Sequence, residues 1–190
     1  MSSGDIAALH RQALGETRRI VACIGDGQWE ASTPCEGWSV RELLNHIVAG
    51  NLWAVELGGG RTIAEVGTAL DGDVLGTDPL DAYDRSAEAA AAVFEAPGAL
   101  ERPCAVSYGP VPGSVYAGHR FIDVLIHGWD LASATGQPTD LDPQLVEACW
   151  DVLTPQLSLL QASGAFGVDQ RHGATTGSQR SLLAALGRSG

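Results

Sequence analysis

The chain has 190 residues, 45% of them hydrophobic and 18% charged, the size and balance of one soluble domain with a sizeable core. Its net charge is −12, and no basic stripe gathers the 11 basic residues, which argues against a nucleic-acid partner. No apolar run reaches the length of a membrane span, and MSSGDIAALHRQAL lacks the basic-then-apolar order of a secretory signal, so the cytoplasm is the expected compartment.

In chain order, apolar positions at helical spacing predict a first helix from about Gly4 to Ile24. A loop rich in turn formers follows. Ser39 with Glu42 three residues on, ahead of an apolar run, is a capping-box signature. It predicts a second helix to about Leu57, ended by Gly58–Gly60. Residues 61–77 read as irregular. Asp78-Pro79 and an alanine run predict a third helix, stopped by Pro97 and Gly98. Residues 99–112, with three prolines, read as a long loop holding a short extended pair. A fourth helix is expected from Ser114 to Thr135, stopped by Gly136 and Pro138. A fifth runs from Asp142 to Ala162, kinked or broken by Pro155, and after a loop RSLLAALGR forms a short C-terminal helix. Helices without convincing alternating strands predict an all-α bundle in a single domain over residues 1–190, with at least one long crossover and a short tail from about residue 164.

The fourth helix carries the chemistry. In HRFIDVLIHGWDLA, His119, Asp123 and His127 stand at i, i+4 and i+8, within an arc of roughly 80°. Asp123 and His127 stack on one face of an apolar segment, where a carboxylate is costly unless paired. On the second helix His46 lies on a face with Leu43 and Ile47, and Gly50 one turn on leaves space beside the imidazole. If the two helices are neighbours, two imidazoles and a carboxylate meet in the core as a divalent-metal site with open positions. Zinc suits that donor set best; nickel, iron and manganese accept the same ligand types. The same residues also read as a structural hydrogen-bonded Asp–His pair with a core histidine. His119, one turn back, reads as a solvated residue near the bundle end.

Neighbouring residues carry weaker signals. Asp130, three residues after His127, is placed to orient its other ring nitrogen. Arg120 reads as a solvated arginine or as a contact for an anionic substrate at the mouth. Trp38, just before the N-cap, reads as packing of the hydrophobic-staple kind. The cysteines Cys23, Cys35, Cys104 and Cys149 form no Cys-x-x-Cys pair and read as reduced and mostly packed in the core. For Cys35 no histidine partner is indicated, which weakens a nucleophile reading. No P-loop and no Gly-x-Ser-x-Gly elbow is present.

The blocks TPCEGWSVRELLNHIVAGN (residues 33–51) and DVLIHGWDLASATGQ (residues 123–137), with RSLLAALGR, resemble the actinobacterial metal-binding proteins of the DinB-like, mycothiol-dependent maleylpyruvate isomerase superfamily. The resemblance implies a DinB-like four-helix bundle. It implies a metal triad at His46, Asp123 and His127, with aspartate where the isomerase has glutamate. It implies a low-molecular-weight thiol, mycothiol, as co-substrate, and hence an S-transferase or cis–trans isomerase acting on a small electrophile. The isomerase carries a further C-terminal domain, for which the tail here is short, so a transferase is the safer expectation. The alternative is a non-catalytic metal-binding module for a small ligand or protein partner. A homodimer through an apolar helix face is a further expectation.

Overall fold

The computed structural model describes residues 3–156 and 178–188. The chain divides into two compact units, Met1–Gln137 and Pro138–Gly190.

In the first unit four long helices form a bundle: α1 (Ser3–Val21), α2 (Val40–Gly58), α4 (Pro79–Glu95) and α5 (Gly113–Thr135). Between α2 and α4 lies the one-turn helix α3 (Ile63–Val66). Between α4 and α5, strands β1 (Pro103–Val106) and β2 (Gly109–Pro112) form an antiparallel hairpin in which Val106 pairs with Gly109, leaving Ser107 and Tyr108 at the turn.

Each of α1 and α2 packs against both α4 and α5. Side-chain contacts fix the directions. Arg11 reaches Glu88 and Glu95 while Arg18 reaches Asp84, so α1 and α4 run antiparallel. Thr17 donates to the Val124 carbonyl and Gln137 to that of Ile20, so α1 and α5 run parallel. His46 meets Asp123 and Asn51 meets Arg120, making α2 and α5 antiparallel. Asn51 meets Ser86 and Gly58 packs on Val93, making α2 and α4 parallel. Two parallel neighbours joined in sequence need a connection that returns the length of a helix, and residues 59–78 supply it. This is the long crossover expected of the bundle.

The local chemistry explains the elements. Ser39 accepts from the Glu42 backbone N–H while Glu42 returns to the Ser39 backbone N–H, and α2 starts there. Asp78 caps α4, whose first residue is Pro79. The helix α5 ends at Gly136, at φ 68°, where glycine carries no steric penalty. The core between the helices is built from Leu43, Leu44 and Ile47 of α2, Tyr83 and Phe94 of α4, and Phe121 and Leu125 of α5. The Tyr83 hydroxyl donates to the Leu14 carbonyl at 2.8 Å.

Residues 61–77 are less irregular than expected. Thr62 and Glu65 form a second reciprocal capping box that starts α3, and the Thr-x-x-Glu signal was present in the sequence. The crossover is then fastened back onto α2: Asn45 donates to the Gly72 carbonyl and accepts from the Val74 N–H, and Arg41 pairs with Asp73.

In the second unit, α6 (Pro143–Leu153) is followed by a short 3₁₀ turn, Thr154–Gln156, at the proline expected to break it. It packs on α7 (Gln179–Ala185). The Gln179 side chain accepts from the Leu141 N–H and donates to the Thr139 carbonyl. The expected continuation of the fifth helix to Ala162 and most of the loop after it lie outside the described residues. Among the described residues no helix is long and apolar enough to cross a membrane.

Candidate metal centre

The antiparallel packing of α2 on α5 brings His46, Asp123 and His127 together. Asp123 Oδ1 stands 3.4 Å from His46 Nε2 and 3.5 Å from His127 Nε2. The two imidazoles meet edge to face, centroids 5.0 Å apart. All three donor atoms lie within 4.8 Å of one another. The site is open on one side: the side chains of His46, Asp123 and His127 are 37%, 27% and 15% exposed. Trp38 forms one wall, its ring 4.8 Å from that of His46 and 6.4 Å from that of His127. The sequence reading gives Trp38 packing of the staple kind and does not place it beside the donor set.

His127 is oriented from behind. Its Nδ1 lies 2.9 Å from Oδ2 of the fully buried Asp130. A carboxylate accepts, so Nδ1 carries the proton and the Nε2 lone pair faces Asp123. The Cys35 thiol donates to the same Asp130 oxygen at 3.2 Å and stands 3.6 Å from His127 Nδ1. Cys35 therefore does have a histidine neighbour, contrary to the sequence reading. The two residues are 92 positions apart, and no spacing pattern links them.

Arg120 also departs from expectation. It is neither solvated nor at a mouth: it is 7% exposed, and its Nη1 donates to Asp123 Oδ2 at 2.9 Å. Burial by itself pushes the Asp123 carboxyl up. The Arg120 guanidinium leads the influences that outweigh burial and hold that carboxyl well below the usual carboxylate range. The space left by Gly50 is filled by this guanidinium and not by the imidazole, since a Cβ on Gly50 would stand 2.6 Å from Arg120 Cζ. The signal was legible in part, because Arg120 and Asp123 are three residues apart on one helix. His119 does not join the donor set; its Nδ1 is hydrogen-bonded to the Tyr108 hydroxyl from the hairpin turn. All four cysteines are free, and the core holds only Cys104 and Cys149; Cys23 is exposed and Cys35 half-buried.

A family model described as the mycothiol maleylpyruvate isomerase N-terminal domain matches residues 10–132, which include every residue of this site. The chain belongs to that family. Proteins similar to it include uncharacterised proteins from two strains of Mycobacterium tuberculosis. Each is 36% identical over 145 residues, covering 74% of this chain and 73% of its own length. A crystal structure of the mycothiol-dependent maleylpyruvate isomerase has the same fold, with a TM-score of 0.66 at 15% identity over 88% of this chain and 74% of that one. A histidine-to-alanine mutant of that enzyme superposes equally well, at 0.65. The bundle is thus a DinB-like helical fold.

Proposed function

We propose that His46, Asp123 and His127 hold one divalent cation, zinc by preference, and that the chain acts with mycothiol as an S-transferase or cis–trans isomerase on a small electrophile. The observation that carries this is the donor spacing. Nitrogen and oxygen ligands set tetrahedrally at about 2.0–2.1 Å from zinc stand roughly 3.3 Å apart. Two of the three edges here are 3.4 and 3.5 Å, and the third lies within 4.8 Å. The family supports the thiol, and the mixed nitrogen and oxygen donors support the metal.

A divalent cation, when bound, supplies the acidity that deprotonates a coordinated thiol at neutral pH. The protein's own groups do the rest. Asp130 holds the His127 proton on Nδ1, which keeps Nε2 available as a ligand. Trp38 walls one side of the open face. In the reaction class proposed, the thiol sulfur bonds to an electrophilic carbon. Departure of a leaving group completes a transfer, whereas rotation followed by loss of the thiol completes an isomerisation.

A second reading has one observation in its favour. Arg120 already compensates Asp123, so the carboxylate has a partner without a cation. Elemental analysis of untagged, chelator-free protein separates the two. Near-stoichiometric metal in the wild type, lost in His127→Ala, is the expected result. No metal in either protein after reconstitution with zinc or nickel would leave only the structural network. Thiol-dependent turnover of model electrophiles is the next measurement.

A further inference from the structure

Arg120 does more than neutralise a charge, because its guanidinium is held between two helices. It lies in the slot cut by Gly50, with Nη1 on Asp123 Oδ2 at 2.9 Å and Nη2 on Asn51 Oδ1 at 3.4 Å. Asn51 is itself fully buried, and its Nδ2 donates to Ser86 Oγ at 3.2 Å. Ser86 Oγ donates in turn to the Tyr83 carbonyl at 3.0 Å. The guanidinium on α5 is therefore held by α2, and α2 is held at that point by α4.

The consequence falls on Asp123. One of its oxygens, Oδ2, is taken up by Arg120, and the other, Oδ1, alone faces both imidazoles. We infer that Arg120 is a positioning residue that keeps Asp123 a one-oxygen ligand and thereby makes the site select small four-coordinate cations over larger, oxygen-seeking ones. Zinc is satisfied by four ligands, and one carboxylate oxygen is enough. Manganese takes more oxygen donors and gains from a carboxylate that can turn both oxygens to it. A carboxylate pinned at Oδ2 cannot turn. The positive charge of Arg120 weakens both cations alike, so the ratio of affinities reports the pinning and not the charge. The inference rests on the metal reading above.

The test is a competition titration of zinc and manganese against a chromophoric chelator, using full-length protein freed of metal. It compares the wild type with Arg120→Met, Arg120→Lys and Gly50→Ala. Arg120→Met frees Oδ2, and the preference for zinc over manganese is expected to fall about tenfold, the lower end of what loss of a ligand's outer partner costs. Gly50→Ala evicts the guanidinium without removing it, lowers the same ratio, and serves if Arg120→Met fails to fold. Arg120→Lys keeps one donor on Oδ2 and restores part of the preference. A wild-type protein that binds zinc with a ratio unchanged in both Arg120→Met and Gly50→Ala overturns the role of Arg120 alone. A wild-type protein that binds neither ion overturns the metal reading and this inference with it.

Discussion

Asp130 accepts from both His127 Nδ1 and the Cys35 thiol, at 2.9 and 3.2 Å, with no exposure to solvent. Replacing its carboxylate should loosen the hold on the imidazole. Asp130→Asn is therefore expected to weaken metal binding about 10–100-fold while leaving the helical circular dichroism unchanged. An unaltered affinity would reduce Asp130 to a packing residue. At this scale the sequence was readable wherever partners share a helix. Asp123 and His127 at four residues, and His127 and Asp130 at three, follow from helical geometry alone. Across separate elements the sequence offered only the meeting of His46 with Asp123 and His127, and that on the condition that their helices are neighbours. Nothing in the local pattern around Cys35, Trp38 or Asn51 points at α5, because those contacts exist only once α2 and its capping loop dock on it. Arg120 was misjudged for the same reason, since the slot that buries it is made by Gly50 of another helix.

Helix boundaries were more accessible, because caps act locally. The Ser39–Glu42 capping box starts α2 at the expected place, and Asp78-Pro79 does the same for α4. The loop that this cap anchors also carries Trp38 and Cys35 to the site, so the α2 cap serves position as well as stability. Ser39→Ala removes the acceptor for the Glu42 N–H and should cost about 1 kcal/mol. In a chain of this length that is a fall of about 2–4 °C in Tm. Thermal melts would show it, and a Tm equal to the wild type's would mean that the loop holds the helix end without the cap. The sequence reading needs α2 and α5 to be neighbours to bring His46 to Asp123, and the structure makes them so, in an antiparallel direction that the sequence did not indicate. The parallel α2–α4 pairing was not legible, because it depends on how residues 59–78 travel. That path is set by the Asn45 and Arg41 contacts to 72–76, which no periodicity reveals.

The whole molecule carries a pH sensitivity apart from the site. His10 of α1 is fully buried against the edge of Phe94, 5.3 Å between ring centroids, and among the described residues neither of its nitrogens has a hydrogen-bond partner. Burial, and then the charges of Arg120 and Arg11, lower its pKa from 6.5 to about 3. The unfolded chain takes up this proton as pH falls through 6.5, and the folded chain does not until about pH 3. The unfolded state thus binds more protons in that window, and stability falls as pH falls, by at most about 1.4 kcal/mol per pH unit from this group. Between pH 7 and 5, urea unfolding of the wild type should lose up to about 2 kcal/mol more than that of His10→Leu. Equal losses would remove His10 from the acid response. The parallel packing of α1 on α5 has a different consequence, for the order of events during synthesis. Thr17 meets Val124 across 107 residues. At about 5–20 residues per second, the apolar face of α1 waits on the order of 5–20 s for the helix that covers it. During that interval the nascent chain depends on other cover for α1. The His46 imidazole waits too, since Asp123 lies 77 residues further on. A cation held by all three residues can be taken up only once α5 has been made.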